Sequence, residues 1–166
     1  MIHVPAPDPF TVFGLPRALD LDERALEQRY LRLSRECHPD RLRATDAGDC
    51  IAVLQRAAEI NDAWQVLRDP WRRARALLEA ERPGVLERNK RLDPGFLASA
   101  LDLAEAVADA RGAATAPLRA QLTAALAADW DRLRGHVLRG ELDAAARAVH
   151  ESHYHTKALH DLDAKS

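Results

Sequence analysis

Three groups of side chains in this 166-residue chain could act on another molecule. The first is His38-Pro39-Asp40, an imidazole and a carboxylate on either side of a proline, with Arg41 following. Such a pair could exchange protons, but no nucleophile or oxyanion donor stands at a recognisable spacing from it. Taken alone, the tripeptide reads as an ordinary helix stop on an exposed loop, and no catalytic residue is expected there. The second group is a row of carboxylates, Asp102, Glu105 and Asp109, beside Leu97, Ala98 and Leu101. By composition these read first as a solvated face with the leucines burying their edges, and second as an acidic-apolar patch of the kind that docks a protein. The third group is His150, His153, His155 and His160. His153 and His160 share a helix side but lie two turns apart, and His155 points elsewhere. That spacing does not make a metal set, so no metal and no cofactor is expected.

The first group needs a helix to carry it, and Asp22 to Cys37 provides one. At about 100° per residue, Leu26, Tyr30, Leu33 and Cys37 fall in one narrow stripe. Arg24, Gln28, Arg32 and Arg35 collect on the opposite side. Pro39 then ends the helix by its missing N–H and by restricting the residue before it. Asp20, with Glu23 three residues on, is the expected capping box. Ahead of this helix, Asp8 to Gly14 reads as a short helix closed by Gly14 and Pro16. A loop from Arg41 to Asp49 leads to a third helix, Cys50 to Arg68. That helix is apolar on two sides, with Ile51, Leu54 and Ala58 on one and Val53, Ile60, Trp64 and Leu67 on the other. It is expected to lie between the second helix and a fourth. The fourth, Trp71 to Glu81, opens on the cap-and-proline pair Asp69-Pro70 and ends at Arg82-Pro83-Gly84.

Residues 85–94 carry charges and no clear period, and are expected to be a hinge between residues 1–84 and residues 95–166. Asp93-Pro94 repeats the cap-and-proline signal and opens a helix from Gly95 to Arg111. Phe96, Ala100, Leu103 and Val107 cluster within about 60° and form its core stripe. Leu97, Ala98, Leu101, Asp102, Glu105 and Asp109 spread over the other side. Thr115 and Pro117 start a helix with Leu118, Leu122, Leu126, Leu133 and Val137, running to Arg139. After the Gly140 turn a last helix begins at Glu141, with Leu142, Ala146, Val149 and His153 on one stripe. Three amphipathic helices with short connections predict an antiparallel bundle.

The chain is 47% hydrophobic and 30% charged, as a folded protein would be. Its 5% aromatic content, with Ala and Leu prominent, favours helices over sheets. A net charge of −2 argues against a protein devoted to nucleic acid. Arg24, Arg29, Arg32, Arg35, Arg41 and Arg43 could still serve an arginine-rich nucleic-acid-binding module, but Tyr30 lies on the core stripe and leaves no stacking platform. No apolar run suits a membrane span, and the N-terminus lacks the regions of a signal peptide. Cys37 and Cys50 are too few for a disulfide framework, and Cys37 is expected to be a small buried residue. A cytoplasmic, reducing setting is expected, with no nucleic-acid or membrane partner.

Tyr30-Leu31-Arg32-Leu33 before His38-Pro39-Asp40, and Ile60-Asn61-Asp62-Ala63-Trp64-Gln65-Val66-Leu67-Arg68-Asp69-Pro70 after it, resemble the J-domain family. In that family the second helix ends in His-Pro-Asp and the third carries an Ile-Asn-x-Ala-aromatic run. Phe10-Thr11-Val12-Phe13-Gly14-Leu15-Pro16, Arg73-Ala74-Arg75-Ala76-Leu77-Leu78 and Phe96-Leu97 extend the resemblance to the HscB-type J-domain co-chaperones of iron–sulfur cluster assembly, from Phe10 to about Lys157. The fold implied is all-α, a J-domain with a helical hairpin and short flanking helices, then a three-helix bundle.

The function implied is non-enzymatic. His38, Pro39, Asp40, Arg24, Gln28, Arg32, Arg35 and Arg41 would engage an HscA- or DnaK-class ATPase chaperone and stimulate it. Leu97, Ala98, Leu101, Asp102, Glu105, Asp109 and Tyr154 would bind an IscU-type scaffold. A J-domain adaptor for a different client is the alternative. Ala98 stands where the family has Met, Tyr154 where Phe is usual, and Cys37 where an aromatic is usual. The zinc-binding cysteines of many eukaryotic relatives are absent, as is the Gly/Phe-rich segment of general J-proteins. A bacterial-type, dedicated adaptor is expected.

Overall fold

The computed structural model describes residues 7–37 and 47–165. Among these residues all regular structure is helical. The chain divides into two compact units, one up to Ala80 and one from Glu81 onward.

The first unit opens with α1 (Pro9–Phe13), whose N-cap Asp8 accepts from the Phe10 N–H at 3.1 Å. Gly14 closes it at φ 59°, a left-handed conformation that glycine adopts without a Cβ penalty. Then come α2 (Glu23–Glu36), α3 (Ala47–Leu67) and α4 (Pro70–Glu81). The cap of α2 is Asp22, accepting from Ala25 N–H at 3.0 Å, and not the expected Asp20. Asp69 caps α4 as expected, accepting from Arg72 N–H at 2.8 Å.

Phe10, Phe13, Leu26, Ile60 and Leu67 are buried, and α3 lies against α1 and α2. The expected place for α3 between α2 and a fourth helix is thus replaced by a place against α1. Its other side differs too: Ile51 and Leu54 are 58% and 62% exposed, and Ala58 is exposed. Apolar periodicity predicts cover for that side, and no described residue provides it.

Three arginines tie the short α1 and its following loop to the longer helices. Arg29 donates to the Phe13 carbonyl at 2.8 Å, and Arg56 to the Val12 carbonyl at 3.2 Å. Arg73, buried in α4, donates to Leu19 O at 2.7 Å and Leu67 O at 2.6 Å. Burial lowers its pKa, against the raising influence of Asp20, Glu23 and Asp69. The carbonyls at a helix end lack intrahelical donors, so a guanidinium reaching them satisfies groups that would otherwise be costly to bury.

The second unit holds α5 (Val85–Arg88), α6 (Pro94–Asp109), a 3₁₀ turn at Gly112–Ala114, α7 (Thr115–Leu138) and α8 (Leu142–Asp163). Its central helix is α8, with α5, α6 and α7 all against it. Residues 85–88, expected within the hinge, form a short helix instead. Val85 and Leu86 are buried, and Asn89 Nδ2 donates to Asp143 Oδ1 at 2.8 Å. Arg82 pairs with the same carboxylate at 2.8 Å, and His150 Nε2–H donates to Leu86 O at 2.9 Å. Hydrogen bonds from Asn89 and then Arg82 hold the Asp143 pKa below the ordinary carboxylate value. A two-residue apolar pair is too short to show a period, so it does not stand out from charged neighbours in the sequence.

Val107, Ala110, Leu122, Ala158 and Leu162 form a core cluster, with Leu103, Leu118 and Leu159 against it. Asp93 caps α6 as expected, accepting from Phe96 N–H at 3.1 Å. Lys165 and Arg111 donate to carbonyls at its other end, Lys165 to Val107 and Ala108 at 2.6 and 2.7 Å. Cations suit that end of a helix dipole. On α8 the expected stripe holds for Ala146 and Val149, but His153 is exposed. The buried line runs instead through Ala145, Ala148, Ser152, Ala158 and Leu162, with His155 largely covered.

Candidate functional site

Each unit carries one candidate surface. On the first, α2 sets Leu26 inward and turns Arg24, Gln28, Arg32 and Arg35 to solvent, as its periodicity predicts. Among the described residues, the side chains of Arg24, Arg32 and Arg35 make no ion pair and no hydrogen bond, whereas Arg29 donates to the Phe13 carbonyl. Gln28, Leu31, Arg32, Arg35 and Glu36 border a shallow open concavity, and Leu31 is 46% exposed. The cationic face therefore has an apolar element on the same surface. His38, Pro39, Asp40 and Arg41 lie outside the described residues.

Tyr30 is held on the opposite side of α2. Its ring stacks on Trp64 of α3 with centroids 4.7 Å apart and planes 13° from parallel. Its hydroxyl donates to Asn61 Oδ1 at 2.9 Å, and the Arg68 guanidinium lies over Trp64 at 5.6 Å. Tyr30 and Trp64 thus fix α2 against α3, and Tyr30 is not offered to a nucleobase. Cys37, at the C-cap of α2, is half-buried, where a fully buried residue is expected from the stripe.

On the second unit, α6 buries Ala100 and Val107 and half-buries Phe96 and Leu103. Leu97, Ala98, Leu101, Asp102, Glu105 and Asp109 are all exposed, Leu97 at 39% and Leu101 at 61%. Residues three and four apart on a helix are neighbours, so Leu97, Leu101 and Glu105 form one row and Ala98, Asp102, Glu105 and Asp109 the next. Tyr154 of α8 is exposed as well, and its ring meets Phe96 edge to face, centroids 5.7 Å apart and planes at 83°. An apolar rail and a row of carboxylates are thus exposed on α6, and an exposed tyrosine of α8 meets the same helix at Phe96. Water-exposed leucines gain on contact with an apolar partner, and the carboxylates select a basic one.

A polar cluster built around one buried carboxylate adjoins Phe96. Asp129 of α7 is 3% exposed and sits between Leu126 and Leu133 on the inward line of the helix. Its Oδ2 is 2.6 Å from His155 Nδ1, and its Oδ1 accepts from Arg132 at 2.7 Å. An ionised carboxylate only accepts, so the His155 proton is on Nδ1. Arg132 also reaches Glu151 at 2.8 Å. Burial disfavours the Arg132 charge, but the hydrogen bond to Asp129 and the Glu151 carboxylate outweigh it and raise the pKa. The His155 ring in turn faces Phe96, centroids 6.0 Å apart and planes at 73°. Sequence reasoning passed over Asp129 and set His155 aside with the other histidines. The available signal was a carboxylate in the apolar series Leu122, Leu126, Asp129, Leu133, Val137. Of the histidines, His150 and His155 are committed to Leu86 and Asp129. Among the described residues no three His, Cys, Asp or Glu side chains converge as a metal set. Nor, among them, is any helix long and apolar enough to cross a membrane.

Residues 8–76 match the family model of the DnaJ domain. The "Co-chaperone protein HscB homolog" of Bordetella pertussis is 36% identical over 165 residues, covering 96% of each chain. The protein of the same description from Ralstonia nicotianae is 38% identical over 143 residues, covering 82% of this chain and 81% of that one. Among solved structures, the chaperone HscB from Vibrio cholerae superposes with a TM-score of 0.81 at 29% identity, over 95% of this chain and 96% of that one. Human co-chaperone protein HscB superposes with a TM-score of 0.85 over 98% of this chain and 83% of that one; at 21% identity this likeness speaks for the fold. All-helical units, a DnaJ domain at the N-terminal end and end-to-end similarity agree: the chain belongs to the HscB family of J-domain co-chaperones.

Proposed function

We propose that this protein is a two-sided adaptor of iron–sulfur cluster assembly in the cytoplasm. The α2 face of Arg24, Gln28, Arg32 and Arg35, with His38, Pro39, Asp40 and Arg41, engages the nucleotide-bound form of an HscA- or DnaK-class chaperone and stimulates ATP hydrolysis. The second unit brings an IscU-type scaffold through Leu97, Ala98, Leu101, Asp102, Glu105, Asp109 and Tyr154. The protein itself is not an enzyme in this reading. The observation that carries the reading is that Leu97 and Leu101 of α6 and Tyr154 of α8 are large apolar side chains left exposed on helices that meet through Phe96 and Tyr154 at 5.7 Å, on a unit separate from the arginine face.

The charges support the same division. Exposed arginines on α2 suit an acidic chaperone surface, and carboxylates on α6 suit a basic scaffold surface. Ala98 makes a smaller apolar contact than the methionine usual in the family, so Leu97, Leu101 and Tyr154 carry more of the docking here. The test is chaperone ATPase rate with this protein alone, with scaffold alone and with both. Stimulation by the protein, and a further rise when scaffold is added, is expected. His38→Gln should abolish both while helical circular dichroism and melting stay unchanged. Normal stimulation by folded His38→Gln protein would overturn the assignment of the chaperone site. Full synergy with a variant lacking Leu97 and Leu101 would overturn the scaffold site.

A further inference from the structure

Asp129, buried and paired with His155, is a charged side chain in the core of the second unit, and the docking residues themselves do not explain it. A carboxylate that is 3% exposed is expensive to bury unless both oxygens are hydrogen-bonded. Here both are, by His155 Nδ1 at 2.6 Å and Arg132 at 2.7 Å. A leucine at position 129 would continue the series from Leu126 to Leu133 without that demand. What the carboxylate supplies, and a leucine does not, is a fixed orientation for one imidazole. The ring of that imidazole, in contact with α7 through Nδ1, faces Phe96 of α6 at 6.0 Å. Phe96 in turn meets Tyr154 at 5.7 Å. His155 and Tyr154 are consecutive on α8, so their side chains flank Phe96 from one helix.

We propose that Asp129 and His155 are positioning residues for the docking face: the carboxylate fixes the imidazole, the imidazole fixes Phe96, and Phe96 holds Tyr154 in the orientation a partner protein meets. The proposal rests on the reading of the α6 and α8 face as the partner-binding surface. His155 has 17% of its side chain exposed and Asp129 4%, so neither offers a partner a contact area comparable with Leu101 or Tyr154. Their effect on binding passes through Phe96. Fixing a ring before docking removes an ordering cost that the complex would otherwise bear. A side chain freed to occupy several rotamers would restore that cost and weaken binding without removing a contact.

The hydrogen bond and the ring can be separated by substitution. His155→Asn keeps an N–H donor near the height of Nδ1 but removes the ring that faces Phe96. Asp129→Asn keeps the ring and the shape but removes the charge that fixes it. The pair is measured with the full chain, by calorimetry against an IscU-type scaffold and by aromatic NMR of the partner-free protein. The expected result for His155→Asn is about a fivefold or greater loss of scaffold affinity, with loss of Phe96–Tyr154 ring cross-peaks before any partner is added. Asp129→Asn should weaken binding in the same direction and broaden the Phe96 resonances. Both measurements are made at a temperature where the variant's circular dichroism is that of the folded parent, so lower melting alone does not mimic the effect.

A purely structural role predicts the reverse for His155→Asn, with parental affinity and unchanged Phe96–Tyr154 cross-peaks. That result would overturn the proposal. Leu97→Ala/Leu101→Ala is run beside these variants as a control on the face itself. If it binds the scaffold at parental strength, the docking face has been misplaced. If it loses binding while His155→Asn and Asp129→Asn remain within twofold of the parent, the face stands and the positioning role falls.

Discussion

Truncating Leu97 and Leu101 should separate binding from folding, and their exposures give the size of the effect. Complete burial of a leucine side chain is worth about 1.5–3 kcal/mol. Leu101 is 61% exposed, so docking can gain about 0.9–1.8 kcal/mol from it. Leu97, at 39%, can contribute about 0.6–1.2 kcal/mol. Losing both therefore costs roughly 1.5–3 kcal/mol of docking energy, a tenfold to hundredfold weaker complex at about 1.4 kcal/mol per decade. The two leucines should differ in stability. Leu101→Ala gives up little that is already covered and gains slightly in helix propensity, so its melting temperature should stay near the parent's. Leu97→Ala removes a side chain that is more than half covered, and should lower stability by about 1 kcal/mol. Calorimetric titration of scaffold into Leu101→Ala, Leu97→Ala and the double variant measures the first quantity, and thermal circular dichroism the second. Undiminished binding by folded Leu101→Ala would refute the docking argument. A Leu101→Ala melt as depressed as that of a core truncation would refute the placement of the face.

Three further outcomes follow from named contacts. Chaperone binding should weaken with salt, because exposed charges are screened within about 10 Å at 0.1 M, and Arg32→Ala or Arg35→Ala should flatten that dependence; affinity level from low to high salt in the parent would count against the arginine face. Arg73→Ala should instead destabilise the protein by about 3 kcal/mol or more, read by denaturant melting, since it strands the buried carbonyls of Leu19 and Leu67. At the turn between α7 and α8, hydrogen bonds from Arg139 and then His136 lower the Glu141 pKa to about 2. The folded value lies below the unfolded one, so this carboxylate's stabilisation is complete above about pH 4.3 and is lost as pH falls through about 2. A carbon-detected NMR titration of Glu141 with a midpoint near 4 would refute the assignment.

The helices were legible in the sequence where a cap, a proline or a long stripe marked them. Asp69-Pro70 and Asp93-Pro94 stand where helices begin, and the α6 stripe of Phe96, Ala100, Leu103 and Val107 faces inward. The carboxylate row and the two leucines are exposed for the same reason: on a helix, whatever is not on the core stripe faces away from it. Three things were not legible, each with a physical cause. Asp20 and Asp22 are equally good caps, and the path of the chain decides that Asp22 accepts from Ala25. Periodicity reports which residues are apolar and not what covers them, so Ile51 and Leu54 read as core and stand exposed among the described residues. And a count of apolar residues treats Asp129 as a gap, when its two oxygens are both satisfied inside the bundle.

That last feature bears on how the bundle fixes its register. The inward line of α8 is dominated by small side chains, Ala145, Ala146, Ala148, Ser152 and Ala158, which let α7 come close. Small residues interlock poorly, since the depth of a knob in its hole is what resists sliding. A layer of four hydrogen-bonded polar groups, Asp129, Arg132, Glu151 and His155, behaves differently. A slip of α7 along α8 by one turn, about 5.4 Å, would part Asp129 from His155 and Arg132 from Glu151, the two contacts that cross between the helices. The alanines thus supply proximity and the polar layer supplies height along the axis. The layer reaches α6 through one of its members, because the His155 ring faces Phe96 at 6.0 Å and Phe96 in turn meets Tyr154 at 5.7 Å. The polar layer therefore fixes the register of α7 against α8, and its His155 is one residue away from Tyr154.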